Sequence, residues 1–272
     1  MKSNLLFLFT VILMLASCSK PPKNFKPGEI WPDNNGVHIN AHSAGMLFYN
    51  GKYYWYGEHK IEGDAGNRAW VGVHCYSSEN LTDWKDEGIA LEVVKNDTLS
   101  DITEGCVLER PKVIYNSQTK KFVMWFHLEL KGKGYDAARS GVAVSDKVTG
   151  PFTFVKSFRP NAGYWPQNVM NFHKKPVADT VLSKYCGGKG CLPAHPDSLN
   201  LLGRDFTGGQ MARDQNLFVD DDGKAYQLYA SEENSTLHIS QLTDDYLSFA
   251  GNYIRVFSDR YMEAPAMFKH NG

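Results

Sequence analysis

Apolar and polar residues alternate in short runs along most of this chain, and turn residues separate the runs. Met46-Leu47-Phe48-Tyr49 meets Asn50-Gly51 and continues as Lys52-Tyr53-Tyr54-Trp55-Tyr56. Lys112-Val113-Ile114-Tyr115, the turn Asn116-Ser117-Gln118 and Lys121-Phe122-Val123-Met124-Trp125-Phe126 repeat the phrase, as do Leu217-Phe218-Val219, Asp220-Asp221-Asp222-Gly223 and Lys224 to Tyr229. Such a turn between two alternating runs is a β-hairpin signal. Each hairpin leads into a third run, at Val71 to Ser78, Ser140 to Asp146 and Leu237 to Leu242, and then into a polar turn with a short fourth. Helical periodicity over three or four turns is hard to find. The pattern predicts an all-β chain whose repeated unit is four short strands, the way a β-propeller blade reads in sequence.

A fourth copy begins at Glu263-Ala264-Pro265, runs through Ala266-Met267-Phe268 and reaches Asn271-Gly272. Its second hairpin strand does not follow, so the pattern predicts the N-terminal part of a longer propeller, cut at the start of its fourth blade. The second and third copies are separated by an insertion at about residues 161–210, expected to decorate the rim.

Met1-Lys2, the apolar run Leu5 to Leu15 and the small residues Ala16-Ser17-Cys18 form a secretory signal over residues 1–17, too short for a membrane span. Leu15-Ala16-Ser17-Cys18 is similar to the bacterial lipobox, in which the cysteine is lipidated; an ordinary signal with an incidental cysteine is the alternative. Residues 18–30 then form a polar tether, and the main domain covers 31–272. The expected location is outside the cytoplasm, held by acyl chains to a bacterial membrane at its periplasmic or outer face.

With 29 basic and 30 acidic side chains the chain has no charge footprint for nucleic acid. Aromatics make up 13% of it, which suits a β-rich core or platforms for sugar rings. In an exported protein Cys186 and Cys191, at the ends of a Gly-rich loop, are disulfide candidates; half of a zinc site with His173 or His195 is the alternative. Cys75 and Cys106 either pair or stay as buried thiols. Asp220-Asp221-Asp222 reads as turn chemistry rather than a calcium site, and no metal or other cofactor is expected.

In a propeller the innermost strands line one axis, so equivalent positions of different blades converge. Aligning the copies places His42, Glu109, Asp214 and Glu263 three to five residues ahead of these strands. An acidic residue before a strand is commonly a solvated turn residue, yet recurrence at one position points to a shared site. Glycosidic hydrolysis needs such converging carboxylates, one kept protonated to serve the leaving oxygen and another group to direct water.

These residues carry a resemblance to glycoside hydrolase family 43, five-bladed propeller enzymes, and within it to the exo-β-1,3-galactanase subgroup. It covers about residues 31–272, through Ala41-His42-Ser43-Ala44-Gly45, Tyr54-Trp55-Tyr56-Gly57-Glu58, Glu109-Arg110-Pro111-Lys112-Val113, Val123 to His127, Arg213-Asp214 and Glu263-Ala264-Pro265. The resemblance implies Glu263 as general acid, Asp214 as the group that orients it and raises its pKa, and Glu109 as a ligand of sugar hydroxyls. His42, Tyr54, Trp55, Trp125 and Arg213 are the candidate sugar contacts, with core packing the alternative for the aromatics and ion pairing for Arg213. The implied substrate is β-1,3-galactan, cleaved with inversion to release galactose. An α-L-arabinofuranosidase, β-xylosidase or arabinanase, or a carbohydrate-binding surface lipoprotein, is the alternative.

Most members carry a first-blade Asp base, and here that region reads Ile39-Asn40-Ala41-His42. The galactanase subgroup also lacks it and positions water from the fifth blade. The chain as given is therefore expected to hydrolyse weakly. An axial calcium, known in some propellers of this kind, has no evident ligand set.

Overall fold

The computed structural model describes residues 25–175 and 200–272. The lipidation candidate Cys18, the disulfide candidates Cys186 and Cys191, and the middle of the insertion lie outside them. Twelve strands form three four-stranded antiparallel meanders. The first is β1 (His42–Tyr49), β2 (Lys52–His59), β3 (Gly72–Ser78) and β4 (Lys85–Glu92). The second is β5 (Val107–Asn116), β6 (Lys121–Glu129), β7 (Arg139–Ser145) and β8 (Thr153–Phe158). The third is β9 (Gln215–Val219), β10 (Ala225–Ser231), β11 (Thr236–Leu242) and β12 (Phe249–Val256). Helix is confined to single turns at Asn171–Lys174 and Leu201–Arg204 among the described residues.

The hairpins form where turn chemistry places them. Asn50 and Gly51 both hold positive φ, 48° and 78°, which closes β1 onto β2 with Tyr49 opposite Lys52. In the second sheet Asn116 Oδ1 accepts from the amides of Gln118 and Thr119, both at 2.9 Å, so the side chain shapes the turn.

The cores lie between sheets. Tyr56, Val73, Leu91, Leu108, Met124 and Phe126 fill the space between the first and second. Trp125, Val142, Leu217 and Leu242 fill that between the second and third. The innermost strands come close: a Cβ on Gly45 would stand 2.5 Å from the Pro111 carbonyl oxygen, so β1 can lie against β5 only with glycine there. Cys75 and Cys106 are buried free thiols.

The expected strand at Ala266-Met267-Phe268 does not form. A strand is defined by its ladder, and no segment among the described residues pairs with this one. The ends of the insertion pack on the third sheet: Asn161 Nδ2 donates to Tyr229 Oη and Ser240 Oγ, and Trp165 stacks on Phe206. The Asp220 to Asp222 turn is tied to lysines, Lys269 to Asp220 and Asp221 and Lys224 to Asp222.

Candidate active site

The tips of the sheets meet at one end of the innermost strands. A cavity of about 290 Å³ is lined by His42, Ser43, Glu109, Arg110, His127, Tyr135, Arg213, Asp214, Asn234 and Glu263. All four polar residues aligned from the repeats thus share it.

Local backbone aims them. Between His42 and Gly45, and again between Glu109 and Lys112, the inner strand carries one residue more than its partner. These are β-bulges, devices that re-aim side chains at sheet ends. The residue after each tip sits in the left-handed region, Ser43 at φ 51° and Arg110 at φ 52°. Ala264, after Glu263, repeats this at φ 50° although no strand follows. The bulges also change partners: the shifted register sets His42 opposite Glu58 and Glu109 opposite His127.

Glu109 has both oxygens engaged. His127 Nδ1 lies 3.1 Å from Oε2, and the Tyr135 hydroxyl donates to Oε1 at 2.7 Å. Burial alone raises its pKa, but the contacts from His127 and Tyr135 outweigh it and hold the carboxyl below the usual carboxylate range. His127 in turn has Nε2 2.8 Å from Glu129 Oε1. Burial works against its charge, and the carboxylates on both sides still push it up to about 9. The Tyr135 phenol is raised by burial and by Glu109.

Asp214 is a brace. Arg110 Nε meets its Oδ1 at 2.5 Å, and the Ala264 amide donates to its Oδ2 at 3.0 Å, so the carboxylate holds the peptide next to Glu263. Glu263 is exposed and accepts from Asn234 Nδ2 at 3.2 Å. Asn234 reaches the cavity because Glu232, Glu233 and Asn234 all hold positive φ, 50°, 57° and 68°. Side chains disfavour such a run, and surrounding bonds must enforce it. Glu233 does so by pairing with Arg204 Nη1 and Arg213 Nη2, each at 3.0 Å.

No family model matches the chain, and no curated protein matches it. Solved structures do. A β-1,3-galactosidase of glycoside hydrolase family 43, solved with galactodeoxynojirimycin, is 49% identical over 90% of this chain and 70% of its own, with a TM-score of 0.82. This chain belongs to glycoside hydrolase family 43. An exo-β-1,3-galactanase from Clostridium thermocellum is 35% identical over 90% of this chain and 43% of its own, with a TM-score of 0.66. A Phanerochaete chrysosporium exo-β-1,3-galactanase solved with β-1,3-galactotriose is 29% identical over 90% and 44%, with a TM-score of 0.64. The chain therefore spans 70% of the first of these family 43 structures and under half of the other two.

Three of the expected sugar contacts are elsewhere. Trp125 is fully buried, its indole N–H donating to the Tyr246 carbonyl at 2.9 Å and its ring packed against Phe158 and Phe249. Trp55 belongs to an edge-to-face cluster with Trp31 and Trp84, and Tyr54 packs on the first core. Trp125 is core, whereas Tyr54 and Trp55 are half-buried between neighbouring side chains and outside the cavity. Arg213 lines the cavity; its Nη2 donates to Glu233 and to the Tyr135 carbonyl, and its Nε has no hydrogen-bond partner among the described residues. It braces the Glu233 turn from the cavity wall. His127, Glu129, Tyr135 and Asn234 received no role from the sequence. The signal for His127 was its place in the strand opposite Glu109, readable only once the bulge is known.

Proposed function

We propose that this family 43 hydrolase removes galactose from the non-reducing end of β-1,3-galactan with inversion. The observation that supports this most is the single cavity shared by Glu109, Asp214 and Glu263 beside Asn234 and Tyr135. Its volume of about 290 Å³ lies at the lower end for small-ligand pockets and suits one sugar ring rather than a long chain segment. The relatives solved with galactodeoxynojirimycin and β-1,3-galactotriose support a galactosyl ligand.

Glu263 protonates the departing glycosidic oxygen; of the three tip carboxyls it is the exposed one, and among the described residues the one with no base within ion-pair distance. Asp214 bridges Arg110 and the Ala264 amide, which fixes the acid's backbone. Glu109, with its donors set from behind, accepts hydrogen bonds from sugar hydroxyls. Water attacks the opposite face, so the first sugar formed is the α-anomer. The domain closes as a five-bladed propeller, and the chain is exported through residues 1–17 and anchored by lipid at Cys18.

Galactose released from β-1,3-galactan, followed by chromatography with anomer detection by NMR, tests the reading. Glu263→Gln should lower kcat/KM by about 10²- to 10⁴-fold, the usual worth of a general acid. Absence of galactose release, or release unchanged in Glu263→Gln, overturns it. Mass spectrometry of the mature N-terminal peptide tests the anchor, which an unmodified Cys18 would exclude.

A further inference from the structure

Glu129 closes β6 with both its oxygens fully buried. A buried carboxylate is costly unless each oxygen finds a donor. Here there are two: the Ala138 amide donates to Oε2 at 2.9 Å, and His127 Nε2 stands 2.8 Å from Oε1. A glutamine could serve the amide equally well. What the carboxylate adds is charge, and the ring of His127 is where that charge is directed.

An imidazole donates from both nitrogens only when it carries two protons. His127 presents Nδ1 to Glu109 and Nε2 to Glu129. In a neutral ring one of these contacts would set a lone pair against a carboxylate oxygen. With both carboxyls ionised, the two contacts are satisfied together by the imidazolium. The ring is nearly fully buried, so water cannot take the place of either partner.

We propose that Glu129 is a positioning residue for the sugar-binding carboxylate: it secures both N–H groups on His127, and His127 keeps Glu109 ionised and aimed into the cavity. The inference rests on reading that cavity as the galactosyl site. Other groups around the ring are few. Tyr135 from the β6–β7 connection faces it at 5.9 Å between ring centres, and its strand neighbour on β7 is the uncharged Ser140. Lys60 adds a positive charge beside Glu109, and Arg110, Arg213, Asp214 and Glu263 line the same cavity. The carboxylates on either side of His127 hold its proton up to about pH 9, which agrees with the geometry.

The experiment is a histidine NMR titration of the full chain, wild type and Glu129→Gln, between about pH 5.5 and 9, with KM for a β-1,3-galacto-oligosaccharide measured over the same range. In wild type His127 should be an imidazolium at pH 7.5. In Glu129→Gln it should be neutral there, with KM raised about tenfold, the worth of one charge-assisted hydrogen bond, and recovering toward pH 5.5. An imidazolium that persists in Glu129→Gln, or a KM profile parallel to wild type, overturns the proposal; a merely structural role would lower stability without moving KM with pH. Should Glu129→Gln not fold, the wild-type titration decides, since a neutral His127 at pH 7.5 refutes the relay. If no variant turns over galactan, the galactosyl reading fails while the titration still tests the relay.

Discussion

Two buried triads in this molecule are built from the same kinds of residue and end in opposite states. In the second sheet one histidine lies between two carboxylates, Glu109 and Glu129. In the third sheet one carboxylate lies between two bases: Arg255 grips Glu232 through Nε at 2.7 Å and Nη2 at 2.6 Å, and His238 Nε2 stands 2.7 Å from it. Burial pushes the His238 pKa down; Glu232 raises it, but Arg255 already balances that carboxylate, and the net direction is down. Burial likewise opposes the charge on Glu232, yet its contacts with His238 and Arg255 bring it to about 2. The third-sheet triad sums to zero and is sealed. The second-sheet triad keeps a surplus negative charge at its cavity end, on Glu109. The count of charges, more than the identity of the residues, separates a structural clasp from a site able to act on a ligand.

The largest expected effect is on the sealed triad. Glu232→Ala leaves Arg255 buried without its bidentate partner, which should cost about 3–5 kcal/mol and lower the melting temperature by about 10 °C or more. Thermal unfolding by circular dichroism measures it, and a loss under about 1 kcal/mol would break the contrast.

The pH dependence of stability should split the two triads. His127, raised from the ordinary 6.5 to about 9, contributes stability that is full below 6.5 and lost as the pH rises through 9. Glu232, lowered from 4.5 to about 2, contributes stability present above 4.5 and lost as the pH falls through 2. His238 loses on the same acid side, since its depressed pKa favours the fold above 6.5, and Glu109 adds to that side as well. The alkaline loss should be at most about 3 kcal/mol. Urea unfolding should show it as a loss between pH 6.5 and 9 that is absent from His127→Gln, whereas the loss above about pH 9 from the Cys75 and Cys106 thiols, whose pKa burial raises, is common to both; equal slopes below pH 9 in the two proteins assign the loss to another group.

The smallest effect belongs to the exposed pairs of Lys269 with Asp220 and Asp221. Solvent screens them, so Lys269→Ala should leave the melting temperature unchanged within error. A measurable drop would mean that ion pairing at the surface matters here as much as burial.

The hairpins were legible because turn chemistry is local: Asn50-Gly51 and Asn116 determine their own backbone. The convergence of His42, Glu109, Asp214 and Glu263 was legible because repeats place equivalent residues alike. Tyr54, Trp55 and Trp125 misled because an aromatic on a strand looks the same whether a sugar or another sheet will cover it, and long-range packing decides. The strand expected at 266–268 depended on a pairing partner, which no local signal supplies. His127 was hidden by one residue. Counting back from the Asn116 turn pairs Glu109 with Leu128, and only the bulge moves the pairing to His127.

That same extra residue has an evolutionary consequence. Because strand side chains alternate between two faces, a single inserted residue splits an inner strand into two frames. From Lys112 onward the frame is constrained by packing, while Glu109 ahead of the bulge answers to the cavity. Deleting one residue at this point would turn Glu109 away from the cavity and, with it, move Leu108, which packs in the core between the first two sheets. Chain length at this point is thus tied to both tasks at once, because one inserted residue sets a ligand-facing side chain and a core side chain together.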